Sequence, residues 1–147
     1  SNRSRHYYSV EVMQEMMIQL GESTRKAIQA SGKRVLLIAS NSLSHRHFTT
    51  ESAIPEDMSK EHITSHAMHL WDMRILDLMR EGKTQQVVDE MPEFIEQAIS
   101  ENDGGSLTWM FSALGMPTYS PLMHGYGTII GTGNVIMEWQ HEKKGGV

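Results

Sequence analysis

The first third of the chain changes from a helical to a strand-like hydrophobic pattern. Val10, Met13, Met16, Met17 and Leu20 recur three and four positions apart. This spacing predicts an amphipathic helix that begins after Ser9, a good N-cap, and runs to about residue 30. After Ser31-Gly32, residues 34–39 contain a continuous apolar run, which is typical of a buried strand.

The middle of the chain predicts three further helices. The first spans about residues 60–80, with apolar side chains three and four positions apart. A short helix over residues 84–90 follows, and Pro92 suits the first turn of another helix that extends to about residue 100.

The last third predicts a turn, a helix and a hairpin. Residues 102–105 are a turn sequence, and the following helix, about residues 106–114, ends at a glycine. Two strands should then surround Gly131-Thr132-Gly133-Asn134, which has hairpin-turn chemistry.

These elements predict an α/β fold in which one helix and one strand are followed by a run of helices and a hairpin. We expect a layered domain with a central sheet flanked by helices, apparently the C-terminal half of a larger α/β subunit. Residues 1–8 read as a tag remnant or an irregular lead-in, and residues 9–147 as the C-terminal portion of that domain.

Composition narrows the class of protein. The 147 residues have a formal net charge of −5 and no long basic run, which argues against nucleic-acid binding. No apolar stretch approaches the roughly 20 residues that cross a bilayer. The absence of cysteine excludes disulfides and thiolate metal sites, and a cytoplasmic location is the default expectation.

His45 is the strongest candidate for chemistry. It follows the predicted strand, together with His47, and ligands of open α/β sheets bind beyond the carboxyl ends of strands. An imidazole there suits general acid–base catalysis. The alternative is a structural histidine that is only hydrogen-bonded. Ser42 and Ser44 lack the G-x-S-x-G surroundings of a nucleophile.

Two other histidine and glycine patterns favour structural interpretations. His62, His66 and His69 would share one face of the predicted helix, but "HITSH" lacks the glutamate of the usual zinc motif, so a polar helix face is preferred. The glycines of "HGYGTIIGTGN" are spaced G-x-G-x-x-x-G and precede a strand. They favour turns and close backbone packing rather than nucleotide binding.

Glu101 and Asp103 form an acidic pair in the turn before the helix that contains Trp109. From the residues alone, either carboxylate could bind a metal ion or remain solvated. Asp103 could also cap the helix that follows.

Three long stretches carry a resemblance that changes these expectations: "ASNSLSHRHF", "PEDMSKEHITSHAMHLWDMRILDLM" and "HGYGTIIGTGNVIMEW". Together they closely resemble the C-terminal half of class III extradiol ring-cleaving dioxygenases, the superfamily of protocatechuate 4,5-dioxygenase. The resemblance is greatest to the aminophenol-cleaving subunits and extends from about Val10 to Gln140.

The resemblance implies a non-haem Fe(II) enzyme that opens an aminophenol or catechol ring with O2. Two histidines and one carboxylate bind iron in such sites. The family's acid–base histidine matches His45, and its metal carboxylate matches Glu101, with Asp103 as the fallback. His47 has no assigned role. The two histidine ligands are expected outside this chain, and a homo- or hetero-oligomer with related subunits is implied.

Two functional classes follow from the resemblance. The chain is either part of a catalytic dioxygenase subunit or part of a non-catalytic partner subunit. The presence of both His45 and Glu101 favours the first. With the histidine ligands outside it, the chain is expected to be inactive alone.

Overall fold

The computed structural model describes residues 8–47 and 61–140. Within these ranges the chain forms four α-helices, a short 3-10 turn at Glu101–Gly104 and two strands. Their bounds are α1 Val10–Ser31, α2 His66–Arg80, α3 Thr84–Ala98, α4 Gly105–Leu114, β1 Leu122–Ile129 and β2 Thr132–Glu138. The fold is therefore mixed α/β, as predicted, and is consistent with a layered α/β domain.

Helix α1 confirms the first predicted helix and its ends. The Ser9 hydroxyl accepts a hydrogen bond from the backbone N–H of Val12, and Gly32 ends the helix in the left-handed conformation at φ 62°. The helix packs closely on α4 through Gly21, where an added Cβ would lie 2.4 Å from the Cβ of Ser112. A glycine is therefore required at position 21, where α1 crosses α4.

The core lies between α2, α3 and α4. Six of its side chains are almost completely buried and come from all three helices: Ile75, Met79, Val87, Met91, Phe94 and Phe111. Burial of each such side chain stabilises the fold by roughly 1.5–3 kcal/mol. The helical periodicity predicted from the sequence therefore reflects this shared core.

The predicted start of the second helix is wrong. Helix α2 begins at His66 rather than near residue 60, because Ser65 caps it by accepting a hydrogen bond from the N–H of Met68 at 3.2 Å. Residues 61–65 are not helical, and residue 60 lies outside the described residues.

The two helices predicted over residues 84–100 are one helix, α3, with Pro92 inside it. An internal proline costs about 3 kcal/mol or more because it removes a backbone hydrogen bond. The buried side chains of α3 lie on both sides of the proline: Val87, Val88, Met91, Phe94 and Ala98. The packing of these side chains on both sides of Pro92 offsets the cost of the internal proline, so the helix remains continuous.

The strand predicted over residues 34–39 is also not formed among the described residues. Residues 33–42 have no helix or strand assignment, and Leu36 and Ile38 are 81% and 71% exposed. A strand requires a neighbouring strand for its backbone hydrogen bonds, and none of the described residues pairs with this segment.

Strands β1 and β2 form the predicted hairpin, with its turn earlier than expected. Tyr126 pairs with Val135 in an antiparallel register, and the two-residue turn is Ile130–Gly131. Both turn residues have positive φ angles, 50° and 86°, as the tight hairpin turns of twisted strands require. Gly133 and Asn134 therefore belong to β2 rather than to the turn.

Within the residues that the structure describes, no helix has both the length and the apolar character needed to cross a membrane.

Candidate functional site

The candidate site lies where residues 42–47 meet the end of α3 and the start of β2. The N–H of Leu43 donates to the carbonyl of Gly133 at 2.7 Å, and the N–H of Glu101 donates to the carbonyl of Leu43 at 3.3 Å. Ser44 and Ser100 also form an isolated antiparallel bridge. These backbone contacts bring the histidine-containing loop beside the 3-10 turn that begins at Glu101.

Asp72 of α2 positions this loop through hydrogen bonds to Ser44. Its carboxylate, which is fully buried in α2, accepts hydrogen bonds from the N–H and the hydroxyl of Ser44 and from the hydroxyl of Tyr126, each at 2.8 Å. Burial raises the pKa of Asp72, although these hydrogen bonds oppose the rise. The pKa of Tyr126 is also raised, by burial and by the neighbouring Asp72, so its hydroxyl remains a donor.

Sequence reasoning missed the role of Asp72. The available signal was one acidic residue beside the apolar stripe of the predicted helix, in "HLWDMRIL". Charged residues are rarely fully buried without partners, but the sequence does not show which side of the helix is covered. Tyr126 and Ser44, which complete the network, are 54 and 28 positions away.

Gly133 is required by the same network. A Cβ at Gly133 would lie 1.9 Å from Oδ2 of Asp72, so no larger residue fits without movement. This confirms close backbone packing for one glycine of "HGYGTIIGTGN". For Gly125 and Gly127 the prediction is wrong, because no described atom lies within 4 Å of an added Cβ.

Ser42 links His45 to Glu101. Its hydroxyl lies 2.6 Å from Nδ1 of His45 and donates to Oε2 of Glu101 at 2.8 Å. The backbone N–H of Ser42 donates to the same carboxylate oxygen. Nδ1 of His45 and Oε2 of Glu101 are 4.0 Å apart, and each side chain is about one-third exposed, 34% and 32%. Both groups are therefore accessible from the surface.

The direction of these hydrogen bonds defines the tautomer of His45. A serine hydroxyl has one proton, and here it goes to Glu101. The Ser42 oxygen must then accept from Nδ1–H of His45. In the neutral imidazole the other nitrogen, Nε2, is left without a proton and can accept one.

The carboxylate of Glu101 is held in its charged form. Burial raises its pKa, but the hydrogen bonds from the backbone and hydroxyl of Ser42, with His45 and His47 nearby, outweigh burial and leave the pKa lowered. Both hydrogen bonds from Ser42 end on Oε2. Among the described residues Oε1 has no hydrogen-bond partner, so this oxygen is available to a ligand.

The structure does not bring the remaining histidines together as predicted. His62 precedes α2, so the stripe of three histidines on one helix face is wrong. His66 is the exposed first residue of α2, and the ring of His69 lies 6.2 Å from that of Tyr126. His47 is exposed and packs edge-on against His45 at 4.9 Å between ring centroids.

Asp103 differs from Glu101 in its surroundings. Its backbone is left-handed, with φ 50°, and its carbonyl accepts a hydrogen bond from Nε2 of Gln14 at 2.8 Å. The prediction that Asp103 could cap α4 is wrong. The N-cap of α4 is Gly104, and no side chain caps the helix there.

The described residues contain no group of three or more histidine, aspartate or glutamate side chains that could hold a metal ion. Fe(II) sites of the expected type need two histidines and one carboxylate. Glu101 fits as the carboxylate of such a set, since it is ionised and has one available oxygen. The described part of the chain does not provide a complete site.

Comparison with known proteins identifies the class. Residues 7–136 match the family described as the catalytic LigB subunit of aromatic ring-opening dioxygenase. Since the match covers most of the chain, this protein belongs to that family, and the resemblance to class III extradiol dioxygenases is confirmed.

One relative gives a more specific similarity. The chain is 47% identical over 145 residues to the 2-aminophenol 1,6-dioxygenase beta subunit of Pseudomonas sp.. The match covers 99% of this chain but 48% of the relative. The chain thus spans about half the length of the protein that it matches.

Proposed function

We propose that this chain forms part of a non-haem Fe(II) extradiol dioxygenase subunit that opens an aminophenol or catechol ring with O2. The observation that carries the proposal is the bridge formed by Ser42 between an imidazole and an ionised carboxylate. Membership of the ring-opening dioxygenase family supports it. The subunit would act in the cytoplasm within a homo- or hetero-oligomer of related subunits.

Glu101 is the proposed metal ligand of this chain, and its Oε1 is the oxygen available for that role. The hydrogen bonds from Ser42 to Oε2 would fix the orientation of the carboxylate, as partners of metal ligands commonly do. The two histidine ligands would come from polypeptide outside the described residues. Bound Fe(II) would hold the two neighbouring heteroatoms of the substrate and O2 together.

His45 is the proposed acid–base residue. Its Nδ1–H donates to Ser42, which leaves Nε2 as the proton acceptor. Nε2 would take a proton from the substrate hydroxyl and return it later in the reaction, when the bond between the two oxygen atoms breaks. About one-third of the side chain is exposed, so a substrate could approach the imidazole from the surface.

The alternative function is a non-catalytic partner subunit. It is favoured by the incomplete set of metal ligands among the described residues and by the similarity to a protein named as a beta subunit. The pairing of His45 with Glu101 through Ser42 favours the catalytic function, because a subunit without chemistry does not need this arrangement.

The test measures iron in what we call the completed subunit. This protein has the present chain in place of the matching part of the Pseudomonas beta subunit and is assembled with the other subunits of that enzyme. Glu101→Gln keeps an oxygen that accepts from Ser42 but removes the charge. Changes to partners of metal ligands lower affinity about 10–100-fold, so loss of a ligand should lower iron content at least about tenfold, together with activity.

Asp103→Asn is the matched control and should retain both iron and activity. Iron lost from Asp103→Asn but kept in Glu101→Gln would make Asp103 the ligand. Full iron content and ring opening in both variants would instead support the non-catalytic subunit.

A further inference from the structure

Residues 35–39 form an apolar segment with two different faces. Leu37 and Ala39 pack against the core, whereas Leu36 and Ile38 point outward and are 81% and 71% exposed. A strand that is apolar on both faces is typical of a sheet covered on both sides. In the described structure only one face is covered.

The backbone of the same segment also lacks partners. Among the described residues, residues 34–41 make no backbone–backbone hydrogen bond. Unpaired N–H and C=O groups along an apolar segment offer a template for another strand. The side chains and the backbone thus independently indicate a strand whose neighbour is not among the described residues.

A groove separates this segment from β2. The two are tied at one end, where the N–H of Leu43 donates to Gly133. Beyond that point they line an open groove of about 800 Å³. The rest of its lining comes from apolar residues of α2 and α4, from three residues of α1 and from Glu101: Met79, Leu107, Met110, Ala113, Leu114, Arg25, Ile28 and Gln29. A groove between two extended segments, with apolar core residues along its floor, has the form of a sheet with space for an additional strand.

We propose that residues 35–39 are a sheet strand completed by β-strand polypeptide corresponding to the half of the Pseudomonas relative that this chain does not span. The match covers 48% of the relative. The part of the relative that this chain does not span is therefore about as long as the chain itself. A strand in the groove would pair with the free backbone, and further polypeptide would cover Leu36 and Ile38.

A second copy of the chain satisfies these observations less well. Pairing of two copies through residues 35–39 would use one backbone edge of each segment. It would leave the groove between that segment and β2 empty, because this groove lies within each copy. The remaining half of a longer polypeptide can supply both a strand and a covering layer. This inference does not depend on iron or on the reaction.

The test compares amide hydrogen exchange in the isolated chain with exchange in the completed subunit. Strand pairing should slow the exchange of residues 35–39 at least about a hundredfold in the completed subunit, because local opening then requires breaking the sheet. Amides of α2 and α3, which contain the buried core, should be protected in both samples and report that each is folded.

A pair of variants tests the surface itself. Leu36→Lys places a charge on the outward face and should reduce the protection of residues 35–39 in the completed subunit at least about tenfold, because an interface core does not accept an unpaired charge. Leu70→Lys is the control. Leu70 is likewise exposed, at 55%, but lies on α2 away from this groove, and its variant should leave protection unchanged.

Four results would overturn the proposal. The first is equal exchange of residues 35–39 in both samples when the core helices are protected. The second is protection in the isolated chain that increases with concentration, which would indicate a second copy. The third is protection in the isolated chain at every dilution, which would mean that the same chain covers the edge. The fourth is a completed subunit whose core helices are unprotected, since the two halves would then not fit.

Discussion

Ser42 shows how one hydroxyl can organise two functional groups. It donates its single proton to Glu101 and accepts from His45, so the carboxylate and the tautomer of the imidazole are fixed together. The backbone N–H of the same residue adds a second hydrogen bond to Glu101. A change at Ser42 would therefore alter both the proposed ligand and the proposed base.

His45→Ala should separate rate from metal binding in the completed subunit. Loss of a positioned proton acceptor typically slows a reaction about 10²–10⁴-fold, and we expect this fall in kcat with iron content unchanged. Single-turnover kinetics and iron analysis of the same sample provide the measurement.

His47→Ala is the neighbouring control, since His47 is exposed and its ring packs edge-on against that of His45. Its rate should remain near that of the unaltered protein. If His45→Ala instead loses iron while the rate per iron atom stays normal, His45 is a ligand or a structural residue and the acid–base role is wrong.

At the scale of elements, the site depends on close contact between β2 and α2. Gly133 lies against the buried carboxylate of Asp72, which in turn holds the backbone of Ser44. The carbonyl of Gly133 also accepts from Leu43, and its N–H donates to the carbonyl of Ser44. The loop that contains His45 is thus positioned by a strand and a helix distant in the sequence.

Gly133→Ala should destabilise the chain by roughly 1–3 kcal/mol, the usual cost of forcing an extra carbon into a packed interior. The new Cβ would lie 1.9 Å from Oδ2 of Asp72, so either β2 or α2 must move. Urea denaturation followed by circular dichroism measures the change in unfolding free energy.

Gly127→Ala in β1 provides the matched control, because nothing described lies within 4 Å of its added Cβ. Its effect should be within about 0.5 kcal/mol, as for an ordinary surface change. Equal destabilisation by the two variants would show that the contact with Asp72 is not limiting.

At the scale of the whole molecule, the described residues provide one side of the proposed metal site. The described residues offer the Glu101 carboxylate and the His45 imidazole, but no group of three side chains that could hold a metal. The exposed outer face of residues 35–39 lies on the same part of the molecule, directly before the loop that carries His45. We therefore expect the polypeptide that pairs with residues 35–39 to supply the two histidine ligands of the proposed metal site as well.

The isolated 147-residue chain should not open the ring of 2-aminophenol or of a catechol when supplied with Fe(II) and O2. One carboxylate with water does not hold Fe(II) against competing ligands, because the expected site needs two histidines as well. Absorbance of the ring-opened product and oxygen uptake measure the activity, with the completed subunit as the positive control. Turnover by the isolated chain that disappears in Glu101→Gln would contradict the expectation.

The sequence by itself determined the elements whose signals are local. Helix α1 follows from apolar spacing and the Ser9 cap, and α4 ends at the predicted glycine. The hairpin follows from the glycine-containing turn sequence, although the two-residue turn, Ile130–Gly131, begins one residue earlier than predicted and places Ile130 at positive φ. Such features depend on side chains within a few positions of each other, so the sequence displays them directly.

Only the tertiary structure decided what distant residues do together. The position of His45 after the predicted strand and the family resemblance of Glu101 marked both as site residues, but the link between Ser42 and Glu101 joins positions 59 residues apart. The continuity of α3 across Pro92 and the Asp72 network likewise result from packing against other elements. Residues 35–39 have a strand sequence without a strand among the described residues, because backbone pairing requires a neighbour that local sequence cannot supply.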